Sequence, residues 1–141
     1  MTEIGFYVHA ADKLDVARKL AIKAFNAGQR VMIYTPDADL AAAIDTLLWT
    51  RPPLAFVPHC LDSHPLAPQT PILIGTCSDA LASMDVMINL HDERPQDFAR
   101  FARLLEIVAG DPDDIARGRQ RYRFYRERGY PLSNIDLRQP A

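Results

Sequence analysis

EIGFYVHAADKLDVARKLAIKAFNAGQRVMIY, residues 3–34, decides the fold class. Glu3 to His9 alternates apolar with polar positions and is rich in aromatic and β-branched types, which reads as a strand. From Asp12 to Ala27 the apolar residues Leu14, Ala17, Leu20, Ala21, Ala24 and Phe25 follow a helical period, and Gly28 stands where such a helix stops. Arg30 to Tyr34 (RVMIY) is a second strand. Connections this short between strand, helix and strand favour a parallel sheet with helical crossovers.

Downstream, Pro36-Asp37 opens a helix over Ala38 to Trp49, with Leu40, Ile44, Leu47 and Leu48 on one face. Six of the eleven prolines lie between Thr50 and Pro71, which predicts a rigid loop with a short extended piece at Phe56-Val57. Ile72 to Gly75 and Val86 to Leu90 are short apolar runs suited to strands covered on both faces. Pro95 to Ala109 places Phe98, Phe101, Leu104, Leu105 and Val108 at helical spacing, with Arg100 and Arg103 opposite, and predicts a further helix. Asp111, Pro112, Asp113 and Asp114 supply a capping side chain, a proline for the first turn and acids for the positive dipole end, so another helix starts here and ends at Gly129 before Pro131.

At 141 residues the chain is one domain's length, and a single domain over 1–141 is expected. Its 48% apolar and 24% charged residues are ordinary for a soluble globular protein. No apolar run approaches the roughly 20 residues of a membrane helix, and the first residues lack a basic-then-apolar signal pattern, so a cytoplasmic location is expected. Cys60 and Cys77 are too few for a disulfide framework and read as free thiols.

Charge is unevenly spread. Ile115 to Arg128 (IARGRQRYRFYRER) packs six arginines and three aromatics into fourteen residues. Allowing for Glu127 the segment carries +5, and since the whole chain carries −2 the remainder carries −7. On a helix, Ile115, Arg119, Tyr122, Arg123 and Arg126 fall within an arc of roughly 100°. Phe124 lies nearly opposite, flanked by Arg117, Arg121 and Arg128, with Tyr125 to the side. A solvated face with arginine stems covering apolar surface is one reading. Arginine without a single lysine favours the other, forked recognition of carboxylate or phosphate, because the planar guanidinium donates paired hydrogen bonds.

Trp49, the only tryptophan, leads from its helix into Thr50-Arg51-Pro52-Pro53-Leu54-Ala55-Phe56. A proline-braced loop can hold Trp49 and Phe56 as binding anchors, and core packing is the alternative. His59, Cys60 and His64 raise a metal site that the spacing does not support, and Cys77 with His91 forms no known nucleophile signature. No metal and no cofactor are expected. The turn His9-Ala10-Ala11-Asp12 has no glycine-rich phosphate loop, and no GxxxxGK[ST] occurs, which argues against ordinary nucleotide binding.

Taken together, Phe6-Tyr7, Gly28-Gln29-Arg30-Val31, Leu48-Trp49-Thr50-Arg51-Pro52 with Phe56-Val57-Pro58-His59, Pro71-Ile72-Leu73-Ile74, and Arg121-Tyr122-Arg123-Phe124-Tyr125-Arg126 before Gly129-Tyr130 resemble the chi subunit of bacterial DNA polymerase III holoenzyme. The resemblance implies a three-layer α/β/α, Rossmann-like domain with a mostly parallel sheet and no phosphate-binding loop. It implies a non-catalytic accessory protein of the clamp-loader assembly that meets DNA only indirectly. Two partners are implied: the psi subunit, at Trp49, Pro52 and Phe56, and the acidic, phenylalanine-ending C-terminal tail of single-stranded DNA-binding protein, at Arg119, Tyr122, Arg123 and Arg126. Ile115 departs from the pattern, standing where a basic residue would enlarge the tail site. The competing reading is a module that binds single-stranded nucleic acid directly through the arginine-rich helix, which the acidic remainder of the chain disfavours.

Overall fold

Strand β1 (Glu3–Ala10) leads through helix α1 (Lys13–Asn26) to β2 (Val31–Tyr34) and helix α2 (Ala38–Thr50), the order expected from residues 3–34. There follow β3 (His59–Leu61), β4 (Ile72–Gly75), β5 (Val86–Asn89), a 3-10 turn at Phe98–Arg100, β6 (Arg103–Ala109), α3 (Pro112–Glu127) and β7 (Leu132–Asp136). This computed structural model describes residues 2–50, 59–61, 70–76, 85–95 and 98–138, the side chains at 49 and 50 excepted.

The helices begin and end where side chains satisfy their end groups. Asp12 accepts from the amides of Leu14 and Asp15 at the start of α1, Asp37 from those of Asp39 and Leu40 at the start of α2, and Asp111 from that of Asp114 at the start of α3. At the end of α3, Gly129 adopts φ 81°, its amide donates to the Arg126 carbonyl, and the Tyr130 amide donates to the Tyr125 carbonyl. Those paired bonds need a left-handed residue between them, which glycine accepts without a Cβ penalty.

The seven strands lie in the order β3-β4-β2-β5-β6-β1-β7, and every neighbouring pair is parallel. Alternation along the strands divides the core in two. Val31, Ile33, Ile72, Ile74, Val86, Ile88, Leu105 and Ile107 pack against Ala17, Ala21 and Ala24 of α1 and Ile44 and Leu48 of α2. Met32, Leu73, Met87, Leu104 and Val108 pack on the other side with Phe6 and with Tyr125 of α3. The sheet is therefore the middle of three layers, as the resemblance implied. The β1–α1 turn has no phosphate loop, and the α1 amides that a phosphate would use are already taken by Asp12.

Three expectations change. The predicted helix over Pro95 to Ala109 is instead a 3-10 turn and the strand β6. Its Leu104-Leu105-Glu106-Ile107-Val108 run fits either period, and inside the sheet both faces of β6 are covered, so every residue from Leu104 to Val108 is buried. The segment after Pro131, given no element from sequence, is the edge strand β7. Within the proline-rich stretch, His59–Leu61 forms the short edge strand β3, whereas Phe56-Val57 lies outside the described residues.

Candidate functional site

Helix α3 follows β6 and returns the chain to β7, passing over β1, which lies between them in the sheet. A Cβ built on Gly118 would fall 2.7 Å from Val108 Cγ2, so glycine is what lets the helix approach β6 this closely. Beside this contact opens a cavity of about 460 Å³. Ile115, Arg119, Tyr122, Arg123 and Arg126 line its helix side, Phe6, Val8 and Val108 its sheet side, and His9 and Asn134 complete it. The arc read from the helical period is thus one wall of a real cavity.

The remaining arginines of the helix are engaged elsewhere. Arg121, one of the three read as flanking Phe124, is 5% exposed. Its Nε donates to Glu106 Oε1 at 3.0 Å and its Nη1 to the Asp92 carbonyl. Glu106 is completely buried on β6 and also accepts from Asn89 Nδ2 at 2.9 Å and the Tyr125 hydroxyl at 2.6 Å. Burial pushes the Glu106 carboxyl up, while the Arg121 charge and its hydrogen bonds oppose that push. Burial also raises the Tyr125 hydroxyl, reinforced by the neighbouring carboxylate. Tyr125, which the helical period sets to the side of Phe124, is fully buried.

Arg117 pairs with Asp114 at 3.2 Å, and Arg128 and Arg94 lie over the Phe124 ring, 4.6 Å and 3.7 Å from its centre. Arg119, Arg123 and Arg126 are exposed at the cavity, and among the described residues no acidic side chain lies within ion-pair distance of them. The half-buried Tyr122 ring meets Phe6 edge-on at 5.2 Å. Three unneutralised forks over an apolar floor suit a ligand with anionic groups beside an apolar one.

Sequence reasoning missed the sheet side of the cavity. Phe6 and Val8 share a face by strand alternation, but which face α3 covers is a tertiary fact. His9 carried less signal still: it adopts φ 59°, a left-handed conformation costing roughly 1–2 kcal/mol for a residue with a Cβ. Next to it Asp136 of β7 is held down to about 2, chiefly by the hydrogen bond from the Arg138 side chain, with His9 adding a smaller part.

Elsewhere, Trp49 falls in the last turn of α2, while Pro52 and Phe56 lie outside the described residues, so the second expected site is not brought together here. His59 is buried on β3 with Nε2 at 3.2 Å from Asp45 Oδ1, and Cys60 is a free thiol. His64 and Cys77 lie outside the described residues, among which no cluster suited to a metal occurs. No described helix is long and apolar enough to cross a membrane.

Among solved structures the chain resembles the Pyrococcus furiosus Hef helicase domain, with a TM-score of 0.58 and 11% identity over 78% of this chain and 28% of that one. It also resembles Saccharomyces cerevisiae Dbp5 in a complex, with a TM-score of 0.66 and 11% identity over 98% of this chain and 42% of that one. These likenesses carry the fold alone. Sequence relatives are nearer: the DNA polymerase III subunit chi of Pseudomonas aeruginosa is 35% identical over 97% of this chain and 98% of its own length. That of Haemophilus influenzae is 32% identical over 87% and 86%. A family model described as DNA polymerase III chi subunit, HolC, matches residues 1–133, taking in β1 to β6 and the whole of α3. The chain belongs to the DNA polymerase III chi subunit family.

Proposed function

We propose that this protein is a non-catalytic, cytoplasmic accessory subunit of the DNA polymerase III assembly. It couples the clamp loader, through psi, to strands coated by single-stranded DNA-binding protein. The acidic tail of that protein docks in the α3 cavity, its carboxylates on Arg119, Arg123 and Arg126 and its terminal phenylalanine ring on Tyr122 and Ile115. One observation supports this most: three exposed arginines without acidic partners among the described residues line a cavity floored by Phe6, Val8, Val108 and Ile115, whereas Arg117, Arg121 and Arg128 are engaged by other side chains of the protein. Ile115, at first sight a missing basic residue, serves here as floor.

The psi-facing role goes to Trp49, Pro52 and Phe56, on the segment that leaves α2. Direct binding of single-stranded nucleic acid is the second reading, favoured by arginine beside tyrosine. Against it, Tyr122 sits half-buried and edge-on to Phe6, a poor platform for a stacking base. Fluorescence anisotropy of a labelled acidic peptide ending in phenylalanine tests the reading. The Arg119→Ala/Arg123→Ala double variant loses most of its affinity for the peptide, and wild-type affinity in that variant refutes the tail site. Loss of psi association in Trp49→Ala and Phe56→Ala, with peptide binding intact, tests the second surface.

A further inference from the structure

Among the described residues lining the cavity, His9 is the ionisable one that the helix does not supply. Successive residues of a strand point to opposite faces, so Phe6 and Val8 face α3 and the next residue belongs on the far side. Yet Val8 and His9 line the same cavity. The reversal is made by the backbone. The register of β1 on β6 is regular from Glu3 to Tyr7 and shifts before Ala10, while on β7 it runs through Val8, paired with Asp136. Within that irregularity His9 takes φ 59°. A strained conformation that brings an imidazole to the mouth of a ligand cavity is the kind of feature a fold retains for contact with the ligand.

We propose that His9 is a ligand-contacting residue of this site, donating a ring N–H to a carboxylate of the acidic peptide alongside Arg119 and Arg123. The inference rests on the tail-binding reading above. Around His9 stand Arg119, Arg123 and Arg126 from α3 and Asp136 from β7, itself paired with Arg138 at 2.8 Å, so the ring adds a strand-borne donor to the three helix-borne forks.

The test uses a fluorescein-labelled synthetic peptide of aspartates ending in phenylalanine with a free carboxylate, titrated with the whole chain. His9→Gly removes the donor and relieves the backbone; it melts no lower than wild type and binds the peptide severalfold more weakly. His9→Asn keeps a side chain that tolerates the left-handed backbone and keeps an N–H donor, so it binds more tightly than His9→Gly. Wild-type affinity in His9→Gly, or equal affinities in the two variants, overturns the role of His9. In that case Arg119→Ala separates the two ideas: weakened binding leaves the tail site standing without His9, and unchanged binding removes both.

Discussion

At the residue scale, the decisive distinction is between arginines that hold the protein together and arginines whose forks stay open at the cavity. Arg119→Ala or Arg123→Ala should each weaken peptide binding by about 1.5–3 kcal/mol, the range for a hydrogen bond to a charged group, with the melting temperature unchanged. Calorimetric titration measures the first and thermal denaturation the second. Raising the salt concentration weakens the wild-type contact, because exposed charges are screened. Gly118 makes an opposite kind of prediction. In a helix interior, alanine normally stabilises by about 1 kcal/mol over glycine. Here the added Cβ meets Val108 Cγ2 at 2.7 Å, and Val108 is a buried, branched side chain with little room to turn. Gly118→Ala is therefore destabilising, and pairing it with Val108→Ala recovers part of the loss; an alanine variant more stable than wild type contradicts the close approach. The helical period revealed the arc that lines the cavity but hid this distinction, since nothing local to Arg121 announces a glutamate on β6 beneath it.

At the element scale, α3 is held by two polar anchors. Near its start Asp114 accepts from the Ala109 amide at 2.7 Å, Lys13 at 3.3 Å and Arg117 at 3.2 Å. Burial alone would raise this carboxyl, and the three donors outweigh it, so its pKa is lowered from 3.8. A lowered folded value means stability that is complete above about pH 4 and lost as pH falls through the folded value. Asp114→Asn should be less stable than wild type at pH 7 and should lose less between pH 5 and pH 2, by denaturant unfolding. Further along the helix, Arg121→Ala strands Glu106 as an unpaired buried charge, a loss of about 3–5 kcal/mol. For a chain of this size that lowers the melting temperature on the order of 10–20 °C. Helices α1 and α2 were legible because a 3.6 period survives on a helix with one covered face, and β4 and β5 because their apolar runs are too short for a helix. Strand β6 was not, because Phe98 and Phe101 upstream extend its doubly buried run into a helical spacing, and its buried charge, Glu106, is explained only by Arg121, Tyr125 and Asn89, which close around it.

At the scale of the whole molecule, charge and topology act together. The crossover from β6 to β7 carries a +5 segment across a protein whose remainder is −7, so an anionic ligand is drawn toward one face and repelled from the rest. That same imbalance weighs against a nucleic-acid lattice running across the surface. The α/β class, the site helix and the family were readable because they rest on local patterns and short motifs. The sheet order and the floor of the cavity were not, because they depend on which strands meet across more than a hundred residues of chain, as Val8 and Asp136 do. The most direct measurement compares three forms of the acidic peptide with poly-dT of similar charge: free carboxylate, amidated end, and terminal phenylalanine removed. A site with arginine forks over an apolar floor binds the intact peptide most tightly, loses more on removal of the phenylalanine than on loss of one acidic charge, and binds poly-dT more weakly. Equal affinity for all three peptides, or tighter binding of poly-dT, contradicts the account and makes this helix a nucleic-acid-binding surface.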